Sequence, residues 1–357
     1  RVLVNIKILV ATHKQYWMPE DSVYMPIHVG REGKSDIGYT GDHTGDNISS
    51  KNANYCELTG LYWAWKNLEA DYIGLVHYRR YFTRKEVRSV EDKKNQILTG
   101  AEWENLLSQY PVVVADKRKY HIESNRSHYN NAHHSSGLDA AEQIIAEKYP
   151  EYSAAFTKVC NRTWAHMFNM FVMRRDLFDQ YCEWMFSILE EIEKRVDISD
   201  YDTYEARIYG FVSEILLDVW IEANNINYLI SKINEFKLKE YKTIAIICKE
   251  ENEAKKLNKI LQKNGINSRY ISNKDSEYSG GIFVLTSSSS KGLEFDAVII
   301  KDASKDIYMS ESDVDMHLLY VASTRALHEL EILYDNDITS VYEDKIRENK
   351  VKTLKMN

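Results

Sequence analysis

Short apolar runs alternate with longer amphipathic stretches along the chain. Apolar runs bounded by polar or glycine residues are typical of buried strands. In the first two thirds of the chain such runs predict strands at IKILVAT, DYIGLVHY and YPVVVADK. Apolar residues three and four positions apart predict helices at SSKNANYCELTGLYWAWKNL, RDLFDQYCEWMFSILEEIEKR and YEARIYGFVSEILLDVWIEANN. This alternation of strands and helices favours a layered α/β domain.

A second α/β pattern begins after SKINEFKLKEYK, where tryptophan disappears and Lys, Asn and Ser become more frequent. It predicts the strand TIAIIC and a helix closed by Gly265. Two strands, GIFVLTSS and DAVIIKDA, the helix MHLLYVASTRAL and the strand LEILYD follow. We place the boundary between residues 232 and 242 and divide the chain into domains 1–236 and 237–357.

Composition restricts the class of protein. The chain has 357 residues, 44% of them hydrophobic and 28% charged, which is typical of a globular protein of two domains. The net charge of −8 argues against a chain that coats nucleic acid or membrane along its whole surface, although a local basic patch is compatible with it. The four cysteines lack metal-ligand spacing, so we expect reduced thiols. Neither a signal peptide nor an apolar run of about 20 residues is present, so we expect a cytoplasmic protein.

The first candidate site is the turn GDHTGDNISSKN, which ends at a predicted helix. Glycine allows a ligand to approach the backbone, and Asp42, Asp46 and Asn47 could bind the hydroxyls of a ribose or sugar. A surface turn with a helix cap is the alternative interpretation.

The second candidate site follows the strand DYIGLVHY. His77, Arg79 and Arg80 lie at its end, where open α/β sheets bind ligands. A diphosphate requires charge-assisted donors, which arginine supplies, and alternation along the chain would direct only one of the two arginines inward. Arginines paired with local carboxylates are the alternative.

The third candidate site lies on the helix RIYGFVSEILLDVW. Arg207, Glu214 and Asp218 fall within about 40° of one another at 100° per residue, beside the apolar face. A cation and two carboxylates at this position suit the wall of a cleft, whereas a solvated salt-bridge stripe is the alternative.

Residues 5–225 resemble a family of bacterial glycosyltransferase-like proteins from capsule and exopolysaccharide loci, long known only as a domain of unknown function. The resemblance rests on GDHTGDNISSKNANYCELTGLYWAWKNL, DYIGLVHYRRYF, AHMFNMFVMRRDLFDQYCEWMFSIL and YEARIYGFVSEILLDVWI. It implies a GT-A-like nucleotide-sugar-binding domain and hexosyl transfer, with galactofuranose or another hexose moved from a UDP-sugar.

The resemblance also implies roles for individual residues. Many GT-A enzymes hold a divalent ion with Asp-x-Asp at the end of the corresponding strand, but here His77-Tyr78-Arg79-Arg80 follows. We therefore expect donor binding without a metal ion. Glu214 is the predicted general base if the reaction inverts the anomeric configuration, and its role would differ in a retaining reaction. Asn169, Arg207 and Asp218 are predicted to contact a polysaccharide or lipid-linked acceptor.

The segment SNRSHYNNAHHSSGLD contributes two adjacent histidines, His133 and His134. Because the spacing of Cys, Asp and His around them does not suit zinc, we predict no metal. A loop that binds the acceptor or the donor is the better interpretation, and we assign His133 and His134 to the acceptor.

Residues 242–335 resemble the second RecA-like lobe of UvrD/Rep-type helicases, through TSSSSKGLEFDAVII and LLYVASTRALHELEILY. The resemblance implies that Lys291, Gly292 and Glu294 contact nucleotide or nucleic acid, and that Arg325 reaches a γ-phosphate. The lobe that carries the phosphate loop is not recognisable, since HVGREGKSD has His28 where the first glycine belongs.

We therefore predict an α/β glycosyltransferase domain followed by a smaller RecA-like domain that does not hydrolyse ATP alone. The alternative is a nucleic-acid-binding, helicase-related protein that uses ATP only with another chain. Nucleic acid is expected to bind the C-terminal half weakly. Association with the inner face of the membrane would occur through the acceptor.

Overall fold

The computed structural model describes residues 4–84, 89, 94–108, 110–272, 279–334, 338–342 and 354–355. These residues form two compact units that divide between Ala223 and Asn224. The division lies before the boundary at 236 that composition predicted. It does so because Leu229, Ile233 and Phe236 pack in a hydrophobic cluster of the second unit.

Within its described residues, the first unit contains eight strands and most of the helical residues. The strands are β1 (Ile6–Thr12), β2 (Tyr24–His28), β3 (Thr40–Gly41), β4 (Tyr72–His77), β5 (Val112–Val114), β6 (Arg118–Lys119), β7 (Trp164–Ala165) and β8 (Phe171–Arg174). The helices are α1 (Asn52–Tyr55), α2 (Leu58–Asn67), α3 (Gly100–Leu107), α4 (Asn125–Ala132), α5 (Ser136–Lys148), α6 (Ser153–Asn161), α7 (Arg175–Arg195) and α8 (Ile208–Leu238). Short 3₁₀ helices span Ser49–Lys51, Pro150–Tyr152 and Glu205–Arg207.

The main sheet of this unit has the order β3-β2-β1-β4-β8-β5. The first four strands are parallel, and β8 runs antiparallel to both β4 and β5. The carboxyl ends of β1 to β4 therefore share one edge, which is the edge where open α/β sheets bind ligands.

Both faces of this sheet are covered, which explains its apolar strands. Along β1, Leu9 and Ala11 face one hydrophobic cluster, whereas Ile8 and Val10 face another. The predicted strand IKILVAT and the predicted helix RDLFDQYCEWMFSILEEIEKR have the observed bounds. The helix predicted around residue 56 is instead interrupted, because Cys56 adopts a left-handed conformation with φ of 52° between α1 and α2.

The second unit is a parallel sheet with helices. Its strands are β9 (Thr243–Cys248), β10 (Ser268–Tyr270), β11 (Gly281–Thr286), β12 (Phe295–Ile300), β13 (Ala326–Tyr334) and β14 (Leu354–Lys355), and its helices are α9 (Glu251–Lys263), α10 (Asp313–Ser323) and the last part of α8. The strand order is β10-β11-β9-β12-β13-β14. Gly265 follows α9 with φ of 78°, as a C-terminal glycine does.

The predicted α/β class is confirmed in both units. Within the described residues, none of the helices is long and apolar enough to cross a membrane.

Candidate functional site

The end of β4 brings two cationic side chains to the carboxyl edge of the first sheet. His77 and Arg80 exchange backbone hydrogen bonds of 2.8 and 3.2 Å, which closes a tight turn. Arg80 lies 4.1 Å from the centre of the Phe168 ring, whereas Arg79 lies 5.1 Å from that of Tyr78. The two arginines thus pack against different aromatic rings.

A turn at Phe168 and Asn169 connects this end of β4 with the helix α8. Both residues are left-handed, with φ of 73° and 52°. Such backbone costs about 1–3 kcal/mol for a residue other than glycine and persists only where the surroundings fix it. His77 Nε2 donates a 2.6 Å hydrogen bond to the carbonyl of Phe168 and so fixes one side of the turn.

Asn169 fixes the other side of the turn. Its side chain is buried, and Nδ2 donates to Glu57 Oε1 at 2.8 Å. Its Oδ1 accepts a 3.1 Å hydrogen bond from the Ser213 hydroxyl on α8. Nδ2 also donates to the carbonyl of Gly210 at 3.3 Å, so both amide atoms of Asn169 bind protein groups. The predicted acceptor contact would have to replace one of these bonds or use the second lone pair of Oδ1.

Glu214 lies one residue after Ser213 and accepts a hydrogen bond from the backbone N–H of Phe168. Burial and the nearby charge of Glu57 raise the pKa of Glu214 to about 8, against the opposing charges of Arg80 and Arg207. A carboxyl group with a pKa near neutrality can take up or release a proton at physiological pH. The structure thus places the predicted base close to one arginine from β4 and to another that precedes α8.

Arg207 lies at the end of a 3₁₀ helix, immediately before α8. Its Nε donates to Cys56 Sγ at 3.2 Å, and its guanidinium lies 5.5 Å from the centre of the Phe211 ring. Burial is the main reason that the pKa of the Cys56 thiol rises to about 11, so the sulfur accepts as a thiol at neutral pH.

Asp218 has a different environment from Glu214, although both lie on the predicted stripe. Its carboxylate is buried and accepts hydrogen bonds from His166 Nδ1 at 2.5 Å and from the His166 backbone N–H at 2.9 Å. It also forms an ion pair with Arg162 at 2.9 Å. Burial raises the pKa of Asp218, but the bonds from His166 and the charge of Arg162 outweigh it, so the pKa is below its ordinary value. Both oxygens are engaged, so the structure gives Asp218 a supporting role rather than the predicted contact with an acceptor.

The predicted donor loop is organised around Asp42, which is fully buried. Its carboxylate accepts hydrogen bonds from the backbone N–H groups of Gly30 and Arg31 and from the hydroxyls of Ser49 and Thr59. A sugar hydroxyl could bind Asp42 only by displacing one of these donors. The structure therefore places Asp42 inside the loop, unlike the predicted donor contact.

Asp46 and Asn47 lie nearer the surface of the same loop. Asp46 is exposed and accepts a 3.3 Å bond from the Tyr62 hydroxyl, and Asn47 Oδ1 accepts a 3.1 Å bond from the backbone of Ser49. Three strand spacings separate β3 from β4, which is about 14 Å. The structure thus places this loop on the same sheet edge as the arginines, and it begins at a strand three places away from β4.

The two predicted histidines follow α4. The His133 ring stacks on Phe211 at 3.8 Å, and its Nδ1 lies 3.9 Å from Glu205. His134 is exposed, and its backbone N–H donates to Glu205 at 3.2 Å. The structure thus places His133 beside α8 and His134 at the surface. Groups of three or more His, Cys, Asp or Glu that could hold a metal ion are absent from the described residues.

Several important residues were not predicted from the sequence: Glu57, His166, Phe168 and Ser213. Glu57 precedes α2 as one of many surface-type glutamates, and its sequence context does not distinguish it. The signal that could have found Phe168 and Asn169 is weak, since neither is glycine and only the backbone reveals their left-handed conformation.

In the second unit the helicase-like residues lie at one edge of the sheet. Gly292 is left-handed with φ of 80° in the exposed turn that also holds Lys291 and Glu294. Arg325 donates to the carbonyls of Val321 and Leu293 at 2.9 and 3.1 Å, and to the Thr324 hydroxyl at 3.0 Å. These bonds tie the end of α10 to the turn before β12, so Arg325 acts as an internal brace of this unit.

Comparisons with known proteins give the chain a family and a fold. The family model described as a domain of unknown function (DUF4422) matches residues 7–225, and that of the UvrD-like helicase C-terminal domain matches residues 281–333. No curated protein matches the sequence.

Two solved structures illustrate these likenesses. The apo structure of the WbbM bifunctional glycosyltransferase is 24% identical with a TM-score of 0.57, over 93% of this chain and 60% of that one. The C-terminal domain of a possible DNA helicase from Lactobacillus plantarum WCFS1 is 27% identical with a TM-score of 0.32, over 37% of this chain and 78% of that one. The first likeness shows a glycosyltransferase-like fold, and this chain spans 60% of that protein's length.

Proposed function

The chain belongs to the family described as a domain of unknown function (DUF4422), and on that premise we propose that its first unit is a hexosyltransferase. It moves galactofuranose or another hexose from a UDP-sugar to a hydroxyl group of a polysaccharide or a lipid-linked oligosaccharide. The observation that carries the proposal is Glu214, whose pKa is raised to about 8 beside the charges of Arg80 and Arg207. The glycosyltransferase-like fold supports it.

In the proposed reaction, Glu214 accepts the proton of the acceptor hydroxyl. The acceptor oxygen then bonds to the anomeric carbon of the donor, and the bond from that carbon to the diphosphate oxygen breaks. The leaving diphosphate gains negative charge, which Arg80 compensates by charge-assisted hydrogen bonds. This displacement inverts the configuration of the anomeric carbon.

The residues around Glu214 suit this role. Its ionised form is a stronger base than an ordinary glutamate, because its conjugate acid has a pKa of about 8. The turn at Phe168 supplies the hydrogen bond that orients it. His77 donates to the carbonyl of Phe168, so Phe168 links the end of β4 to the proposed base Glu214.

We further propose that arginine charge, rather than a divalent ion held by Asp-x-Asp, compensates the diphosphate. The support is the sequence His77-Tyr78-Arg79-Arg80 at the position of that motif. Donor binding should then persist in the presence of a chelator, and a strict requirement for manganese would contradict this part of the proposal.

The test is transfer from a panel of UDP-hexoses to capsular or lipid-linked acceptors, with the full chain and its Glu214→Gln variant. The variant keeps the shape of the side chain and removes the base, so turnover should fall by about 10²–10⁴-fold while the melting temperature stays the same or rises. Glu147→Gln is the control, because Glu147 forms an exposed ion pair with Arg195. Wild-type turnover in Glu214→Gln would refute the assignment.

A helicase-related function is the second candidate, favoured by the match over residues 281–333. Lys291 and the preceding serine-rich turn could contact phosphates weakly. We propose that this unit does not hydrolyse ATP alone, since Arg325 is engaged in internal hydrogen bonds. Salt-sensitive binding to single-stranded DNA, without any binding of UDP-sugars, would favour the second candidate instead.

A further inference from the structure

Three ring side chains near α8 carry buried polar atoms without a hydrogen-bond partner in the described part of the chain. These atoms are the hydroxyls of Tyr120 and Tyr129 and Nδ1 of His133. Tyr129 is only 5% exposed, so its hydroxyl has lost water without gaining a protein partner. Leaving such a group unsatisfied costs about 1–3 kcal/mol, and buried polar groups in proteins usually have partners. Because the charge of Glu214 acts on both tyrosines and His133 stacks on Phe211 of the same helix, these three atoms are candidates for contact with a ligand near Glu214.

The three side chains are held in place from different parts of the first unit. Tyr120 follows β6, and its backbone N–H donates to Thr163 at 2.8 Å. Tyr129 and His133 lie one turn apart at the end of α4, with ring centres separated by 5.1 Å. The two tyrosine hydroxyls have no hydrogen bond within the described residues, whereas His133 Nδ1 has the Glu205 carboxylate 3.9 Å away, beyond hydrogen-bond distance.

Glu214 connects these side chains with the proposed reaction. Burial, with the charge of Glu214 among the further causes, raises the pKa of Tyr120 and of Tyr129. His133 stacks at 3.8 Å on Phe211, which lies one helical turn before Glu214 on α8. Burial lowers the pKa of His133, so its ring is neutral at physiological pH and Nδ1 can pair with a hydroxyl.

The chemistry of this surface selects the kind of ligand. Aromatic faces with a few directed polar groups are suited to a sugar ring, which has an apolar face and hydroxyls at its edge. The Glu205 carboxylate lies 3.9 Å from His133 Nδ1, whereas Glu214, with a pKa of about 8, is largely protonated at neutral pH. A carboxylated or phosphorylated ring beside His133 would be repelled by Glu205, whose charge acts on this histidine more strongly than that of Arg207.

We propose that Tyr120, Tyr129 and His133 form the acceptor subsite and that it binds an uncharged hexose, whose hydroxyls complete the three unpartnered polar atoms. This inference rests on the proposed function and adds the class of acceptor. The ring is bound against the aromatic side chains, with one hydroxyl directed at Glu214.

The variants Tyr120→Phe and Tyr129→Phe test the subsite, since each removes a hydroxyl and keeps the ring. Each should raise the KM for a neutral acceptor by about three- to tenfold, the effect of one lost hydrogen bond, and leave the KM for the donor unchanged. The melting temperature should stay the same or rise, because an unsatisfied buried group is removed. Tyr181→Phe is the matched control, because the Tyr181 hydroxyl is also buried and without a partner but the ring packs against Phe171 and Trp220.

Direct binding separates this inference from the proposed function. Ligand-observed NMR with methyl hexopyranosides should show binding to the wild-type chain that weakens in Tyr129→Phe, and methyl glucuronide should bind less well. Glycoside binding with this dependence in a chain that transfers no sugar would refute the proposed function and leave the subsite intact. Sugar transfer with unchanged acceptor KM in both phenylalanine variants, or preferred binding of the glucuronide, would overturn the subsite.

Discussion

The like charges of Glu57 and Glu214 offer a sharp test of the proposed site. After burial, the charge of Glu57 is the largest contribution that raises the pKa of Glu214 to about 8. Glu57→Gln removes this charge and keeps an oxygen that can accept the 2.8 Å hydrogen bond from Asn169. The variant therefore changes the electrostatics with little change in the turn.

The expected shift follows from the energy of two like charges in a partly screened site. An interaction of roughly 1–2 kcal/mol corresponds to about one pKa unit. In the wild-type protein, kcat/KM should rise with pH and level off above the pKa of about 8 that the structure gives Glu214. In Glu57→Gln the rise should occur about one pH unit lower. Near pH 7 the variant should therefore have a higher kcat/KM than the wild type.

The assay is kcat/KM for transfer between pH 5.5 and 9.5, which reports ionisations of the free enzyme. Glu214→Gln should lose the ionisation, and Glu147→Gln should retain the wild-type profile because Glu147 lies in an exposed ion pair with Arg195. A profile for Glu57→Gln that superimposes on the wild type would refute the coupling between the two carboxyl groups. A rise with pH that persists in Glu214→Gln would show that another group is the base.

Three further predictions concern binding, stability and the second unit. Arg80→Ala should weaken UDP binding by about 1.5–3 kcal/mol in calorimetry, because a charged hydrogen bond is lost; equal affinity in Arg80→Ala, Arg79→Ala and the wild type would contradict the role of the strand end. Since the pKa of Glu214 is raised from 4.5 to about 8, its protonated form favours folding, and this contribution is lost as pH rises through that window. Glu214→Gln should therefore gain stability relative to the wild type between pH 5 and pH 8, by ~1–3 kcal/mol in denaturant titrations, and a constant difference would argue against the raised pKa. The full chain should not hydrolyse ATP with magnesium and single-stranded DNA, and turnover that disappears in Arg325→Ala would show that a phosphate loop is supplied after all.

The sequence by itself determined the α/β class and many of the elements. Strands such as Ile6–Thr12 and Thr243–Cys248 are short apolar runs that are buried on both faces, so pattern and position agree. The helix Arg175–Arg195 is long and strongly amphipathic, so local periodicity is sufficient to define it. The resemblance of the motifs likewise anticipated the family that matches residues 7–225.

The tertiary structure decided which polar residues share an environment. Helical periodicity placed Glu214 and Asp218 on one stripe, yet the first has a raised pKa and the second a lowered one. The difference arises from partners distant in sequence, since Glu57 acts on Glu214 and His166 binds Asp218. The burial of Asp42 among donors from three segments has the same origin.

The sequence also did not predict the left-handed backbone at Phe168 and Asn169. Local propensity disfavours two consecutive left-handed residues without glycine, and contacts with residues remote in sequence, among them His77, Glu57 and Ser213, hold them. Periodicity records which side of a helix or strand is buried, and it therefore determined the elements. A pKa, an unpartnered hydroxyl or a strained turn depends on charges and donors brought together from remote segments, and only the folded chain determines that arrangement.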